Sequence, residues 1–180
     1  MRSSSPRRID VSFEKRPIII FTDGCWEAGF AGIGAAIVDT ASGERVVCSG
    51  VVPPALLDSW KGLHGDHLIC QIELFVMVQL RWQYRDWFLN RRTIWWVDND
   101  AARYCTIKGL SPSVSMRALV RAFYQMDSSY PTYSWIERVP SKSNVSDGPS
   151  RRDNQEALSL LGLDQATMFE TPEELLALLV

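Results

Sequence analysis

The chain has 180 residues, 46% of them apolar and 22% charged, with a formal net charge of −2. That is long enough for one domain with a sizeable core, and too apolar and too weakly charged for a disordered chain. No apolar run approaches the ~18 residues a membrane helix needs, and MRSSSPRRID is followed by no apolar stretch of the secretory kind. The expectation is an intracellular protein, cytoplasmic or nuclear, not secreted and not membrane-bound.

Residues 1–16 form a polar, basic leader. Pro17-Ile-Ile-Ile-Phe-Thr-Asp23 reads as a buried, β-branched strand stopped by Gly24. A loop carrying Gly24 and Gly29 leads to a second strand, Gly32–Asp39. After the turn Thr40–Gly43 comes a third, Arg45–Val52, ended by Pro53-Pro54. Short turns between three strands predict an antiparallel meander. From residue 66 to about 90 the period changes: Ile69, Ile72, Val76 and Leu80 recur at helical spacing, with Asp66 as N-cap and Asn90-Arg-Arg as the close. Thr93–Asp98 is a fourth strand. Residues 99–108 and about 113–128 read as helices, split by Gly109 and Pro112. Tyr133–Glu137 is a fifth strand, and Asn144 to Arg151 a loop entering a short helix. Residues 153–180 form an acidic tail, where Thr171-Pro-Glu-Glu174 predicts a capping box for a short terminal helix. Its apolar end, Leu175–Val180, packs on the sheet, mediates a contact or marks the edge of a longer chain; the residues leave these open. The order implies an α/β fold: a mixed five-stranded sheet, three antiparallel strands then helix–strand crossovers, with helices packed on it.

Charge is segregated along this order. Residues 17–80 carry net −5, residues 81–152 net +6 and residues 153–180 net −6. The basic middle keeps a nucleic-acid partner in view, although Arg81, Arg85, Arg91 and Arg92 are also what a solvated helix and its end would carry. The four cysteines, Cys25, Cys48, Cys70 and Cys105, contain no CxxC pair and read as core or half-buried thiols. His64, His67 and Cys70, with Asp66 nearby, lack a well-spaced fourth ligand for structural zinc.

The acidic residues are more informative. Asp23 and Asp98 each close an otherwise apolar strand, and a right-handed crossover would bring the two strand ends together. Two anions so placed repel unless a cation bridges them; singly, each is an ordinary strand-end turn residue. Glu73 interrupts the apolar stripe of its own helix, where a carboxylate must be paired or bound to metal, or lie at the stripe's edge. Asp147, in Asn144-Val-Ser-Asp147, is by local spacing only a helix-cap residue.

Taken together, Ile-Phe-Thr-Asp23-Gly, Gln71-Ile-Glu73-Leu, Trp96-Val-Asp98-Asn99 and Asn144-Val-Ser-Asp147-Gly-Pro-Ser-Arg151 resemble the ribonuclease H family. The likeness is closest to the ribonuclease H-like domains that follow reverse transcriptases in retroelement polyproteins, the stretch Glu137–Asn144 included. It spans about residues 17–152, which sets the expected domain. The resemblance implies helices on both faces of the sheet and a nuclease hydrolysing the RNA strand of RNA–DNA hybrids with Mg²⁺ or Mn²⁺, two metals being expected. Asp23, Glu73, Asp98 and Asp147 match the family's catalytic, metal-binding carboxylates. Asn99, Gly24, Asn144 and Arg151 would contact substrate, and the cations of the middle segment would grip phosphates. One departure is the loop Val139–Ser143, where catalytic members commonly carry a histidine; its absence implies slow turnover. No dense basic insertion is present, which implies weak hybrid binding without a reverse transcriptase or other partner domain. Competing readings are a fold-sharing exonuclease or strand-transfer enzyme, and a catalytically idle interaction domain. Cys25 counts against the exonuclease, whose first strand opens with Asp-x-Glu. Retention of all four acids counts against the idle domain.

Overall fold

The computed structural model describes residues 16–64 and 67–179. Its strands are β1 (Ile18–Glu27), β2 (Phe30–Asp39), β3 (Arg45–Val51), β4 (Arg92–Val97), β5 (Tyr133–Arg138) and β6 (Thr167–Met168). Its helices are α1 (Pro54–His64), α2 (Ile69–Gln83), α3 (Arg85–Phe88), α4 (Asp100–Lys108), α5 (Val114–Gln125), α6 (Asp147–Ser150), α7 (Gln155–Leu161) and α8 (Glu173–Ala177). The sheet runs β5-β4-β1-β2-β3-β6. β1, β2 and β3 pair antiparallel, whereas β4 lies parallel to β1 and β5 parallel to β4. The five expected strands are all present in a mixed sheet with helices on both faces. The sixth, β6, is a two-residue edge strand in which Cys48 faces Thr167 and Ser49 faces Met168.

The first hairpin is longer than expected. β1 continues past Gly24 to Glu27, and the turn is only Ala28-Gly29, both with positive φ (48° and 83°). Two such residues turn the chain with the twist that antiparallel strands need. Gly24 is therefore not a strand stop. A Cβ there would lie 2.9 Å from both the Glu73 backbone nitrogen and Ile72 Cγ2, so Gly24 is the position where α2 presses onto β1. On the opposite face Gly32 and Gly34 do the same for α6: an added Cβ would sit 1.9 Å from the Ser150 carbonyl oxygen and 2.2 Å from its nitrogen.

The core fills the space between α2, α5 and the sheet, with Ile18, Ile20, Ile72, Phe75, Trp95 and Phe123 all buried. Trp95 meets Phe88 and Phe123 edge-on, at 5.9 and 5.5 Å between ring centroids. The helix expected over residues 66–90 begins at Ile69 and breaks after Gln83 into the separate turn of α3. Asp66, the expected cap, lies outside the described residues, and Leu68 holds the N-cap position without a side-chain bond. Helix α1 was not anticipated: Pro54 stands at its first position, where proline starts a helix as readily as it stops a strand. Its Leu56 and Trp60 are buried, Trp60 edge-on to Phe75 at 6.0 Å.

Beyond residue 152 the chain holds more than one short helix. α7 ends on Gly162 in the left-handed region (φ 65°), β6 joins the sheet, and Leu175 and Leu179 enter the core. The capping box predicted at Thr171 does not form: its hydroxyl donates to Gln79 Oε1 on α2 at 2.8 Å, and Pro172 is the N-cap. Two arginines also depart from the solvated role considered above. Arg81 is 1% exposed and pairs with Asp127 at 2.6 Å. Arg91 grips both carboxylate oxygens of Asp39 at 2.8 Å.

Candidate metal centre

Parallel pairing of β1 and β4 sets Thr22 beside Val97, so Asp23 and Asp98 leave the same end of neighbouring strands. α2 crosses β1 at Gly24 and delivers Glu73 to that end. One carboxylate oxygen from each of Asp23, Glu73 and Asp98 lies within 4.8 Å of the other two; among the described residues this is the sole such group of three or more acids, histidines or cysteines. Asp23 and Glu73 are each 3% exposed, and Asp98 is half-buried. Asp147 stands at the start of α6, exposed and outside this triplet, yet near enough for its charge to act on Asp23.

Neighbours orient the triplet. Ser150 on α6 donates a hydrogen bond to Asp23 Oδ2, and the Asn144 amide approaches Oδ1 at 3.4 Å. The Gly24 amide donates to the Glu73 carboxylate. Burial pushes the Asp23 carboxyl up to about 7, with the charges of Asp98 and Asp147 acting in the same direction against the Ser150 bond and Arg151. Burial, then Asp23 and Asp98, hold Glu73 well above the usual carboxylate range. Glu73 Oε2 is buried with no hydrogen-bond partner. A native interior rarely leaves such an oxygen unpaired. An all-carboxylate donor set with one orphaned oxygen fits a hard divalent cation, which takes oxygen ligands and offsets the mutual repulsion.

The remaining predicted residues sit around this centre in varied ways. Asn99 caps α4, its Oδ1 accepting from the Ala102 amide at 2.9 Å. Asn144 is buried: its amide donates to the Thr22 carbonyl at 3.0 Å and its Oδ1 accepts from the Ser146 hydroxyl at 2.6 Å. That arrangement braces the end of β1 and replaces the local cap that spacing suggested for Asn144 and Asp147. Arg151 bonds Glu27 at the far end of β1 and reaches Asp147 Oδ1 at 3.3 Å and Cys25 Sγ at 3.6 Å. Asp147, Arg151 and Lys142 line a cavity of about 470 Å³ between the 141–148 segment and α7. Of the zinc candidates, Cys70 bonds the Asn99 side chain, while the His64 side chain and Asp66 lie outside the described residues. Sequence reasoning missed Ser150 and Glu27. Ser150 lies within the Asp147–Arg151 motif, but its partner is 127 positions away and leaves no local trace.

No protein-family model and no curated protein matches the chain. Solved structures do. The chain is similar to ribonuclease H1 from the halophilic archaeon Halobacterium salinarum NRC-1, with a TM-score of 0.59 and 14% identity over 78% of this chain and 99% of that one. It is also similar to LC11-RNase H1, isolated from compost by a metagenomic approach, with a TM-score of 0.56 and 16% identity over 79% and 98% of the two chains. A structure of LC11-RNase H1 in complex with RNA/DNA hybrid gives a TM-score of 0.55 at 16% identity, covering 78% and 99%. What is shared at such identities is the fold: the chain has the ribonuclease H-like architecture.

Proposed function

We propose that this protein is a divalent-metal-dependent nuclease that hydrolyses the RNA strand of RNA–DNA hybrids. The observation that carries the reading is the buried triplet Asp23, Glu73 and Asp98 with its orphaned Glu73 oxygen, at the strand ends of a ribonuclease H-like sheet. LC11-RNase H1, whose fold the chain shares, has been captured with such a hybrid. Asp23, Glu73, Asp98 and, from α6, Asp147 would hold Mg²⁺ or Mn²⁺. Ions held there would supply an activated water and charge stabilisation for the leaving oxygen. The protein's own part is positional. Ser150 and Asn144 hold Asp23, the Gly24 amide holds Glu73, and Asn99 fixes the start of α4 directly after Asp98. Arg151, half-exposed beside Asp147, is the candidate for substrate contact at the rim, whereas Gly24 is enclosed beneath α2 and Asn144 is enclosed and acts through Asp23 and β1. The retroelement affinity of the motifs supports a reverse transcriptase or other partner domain as the source of additional hybrid affinity.

A second reading is an idle hybrid-binding domain. It is favoured by the absence of histidine from the Val139–Ser143 loop and by the place of Asp147 outside the triplet. Cleavage of a labelled RNA–DNA hybrid in Mg²⁺ and in Mn²⁺, beside Asp98→Asn and an EDTA control, separates the two. Metal-dependent cutting of the RNA strand that falls to background in Asp98→Asn supports the nuclease. Binding of hybrid by the folded protein with no cutting in either metal supports the idle domain.

A further inference from the structure

Resting on the metal-site reading above, we propose that Arg151 is a clamp on Asp147, a positioning residue that holds the fourth carboxylate away from the triplet until a divalent cation draws it in. The geometry is a single guanidinium serving two carboxylates from different elements. Its Nε faces Asp147 Oδ1 at 3.3 Å, four positions back along the same turn of chain, while its Nη1 binds Glu27 Oε1. Glu27 lies four residues past Asp23 on β1, beside the hairpin turn. The clamp therefore spans from the strand that carries Asp23 to the end of α6.

Three observations give this arrangement its consequence. Asp147 is absent from the group of mutually close ligand oxygens, although its charge reaches Asp23. Its side chain is 51% exposed and that of Arg151 43%, so the pair stands at the rim of the cavity, where both can change partners without repacking the core. Glu27 provides the second seat: when Asp147 leaves for a metal, Arg151 keeps a carboxylate and is held back toward the hairpin instead of following Asp147 inward. The competition between guanidinium and cation for Asp147 then sets the affinity of whichever metal position needs the fourth acid.

The test is a double-mutant cycle read by Mn²⁺ binding to the free protein, using the electron paramagnetic resonance signal of unbound Mn²⁺, with circular dichroism to confirm folding. Arg151→Ala is expected to tighten the weaker Mn²⁺ position about two- to fivefold, the range expected for release of one exposed ion pair. Arg151→Lys, which keeps the charge and loses the planar fork, should tighten it too. Both effects should vanish when Asp147 is already Asn. The proposal is overturned if Arg151→Ala leaves Mn²⁺ binding unchanged or if no protein of the set binds Mn²⁺. It also fails if the tightening persists in the Asp147→Asn background, which would mean that Arg151 acts on the triplet through charge alone. Hybrid cleavage assayed on the same proteins keeps the two ideas apart. Coupling without cleavage removes the nuclease reading and leaves the clamp; cleavage without coupling does the reverse.

Discussion

Asp39 and Asp23 are both aspartates of the first hairpin and nearly closed to solvent, at 2% and 3% exposed, yet their surroundings differ completely. Asp39 sits opposite Ile18, at the end of the sheet where β1 begins. It receives both ends of the Arg91 guanidinium at 2.8 Å, the Trp87 indole N–H at 3.2 Å and the Ala41 amide at 2.9 Å. Those donors, Arg91 foremost, hold its carboxyl well below the usual range. Asp23, toward the other end of the same strand, meets a serine and an amide but no enclosed cation, and stands among other acids; its carboxyl is raised to about 7. The first is a satisfied buried charge that ties β2 to the segment after α3. The second has its oxygens hydrogen-bonded but stands among other acids with no cation to pair it, an arrangement that a fold tolerates where a ligand completes it.

The comparison breaks most visibly by removing the paired acid. Asp39→Ala leaves Arg91, its side chain only 11% exposed, without its carboxylate and is expected to cost about 3–5 kcal/mol in urea unfolding, because an uncompensated and largely enclosed charge is expensive. Removing an acid from the triplet should do the opposite: Asp23→Asn is expected to be at least as stable as the parent in EDTA at pH 7.5, and an equal loss in both variants would erase the distinction.

A pH series sharpens the same contrast. Folded Asp23 keeps its proton to about pH 7, whereas an unfolded aspartate releases it near 3.8. The folded chain binds more protons between those values, so metal-free stability should fall as pH rises from about 4 to 7, on the order of 4 kcal/mol. Asp39, with its lowered carboxyl, stabilises fully above pH 3.8 and loses that contribution on further acidification. Thermal melts in EDTA should therefore show a maximum near pH 4 to 5. The decline above it should flatten in Asp23→Asn and shrink with Mg²⁺; a flat profile in the parent would refute this.

Smaller effects test how the triplet is held. Gly24→Ala puts a methyl against the Glu73 backbone and should cost about 1–2 kcal/mol while weakening Mn²⁺ binding, since α2 must back away with its carboxylate. Thr171→Val removes only the hydroxyl bond to Gln79 and should cost about 0.5–1 kcal/mol with Mn²⁺ binding intact. A Thr171→Val protein with altered Mn²⁺ binding would show that the C-terminal segment reaches the site through α2.

Much of this molecule was legible in its residues. Five strands could be read because Ile18–Phe21 and Thr93–Val97 are β-branched or aromatic runs with turn residues at their ends. Asp23, Glu73 and Asp98 stood out because each interrupts or ends an apolar pattern, and periodicity registers such interruptions. Asp147 interrupts nothing and was reached only through resemblance. Long-range pairings decided the rest. Pro54 starts α1 because Trp60 and Leu56 find a core to enter, and two residues of β6 form a strand only because the edge of β3 is open to them. Thr171 had a local partner available at the start of the helix that follows it and took Gln79, 92 positions away. The seat of Arg151 between Glu27 and Asp147, and the bond from Ser150 to Asp23, belong to the same class. The chain by itself determined which stretches must hide from water and which charges would be hard to hide. Only the tertiary structure decided which charges found partners, because a hydrogen bond or ion pair across 100 residues depends on where the whole backbone goes and leaves no periodic mark at either end.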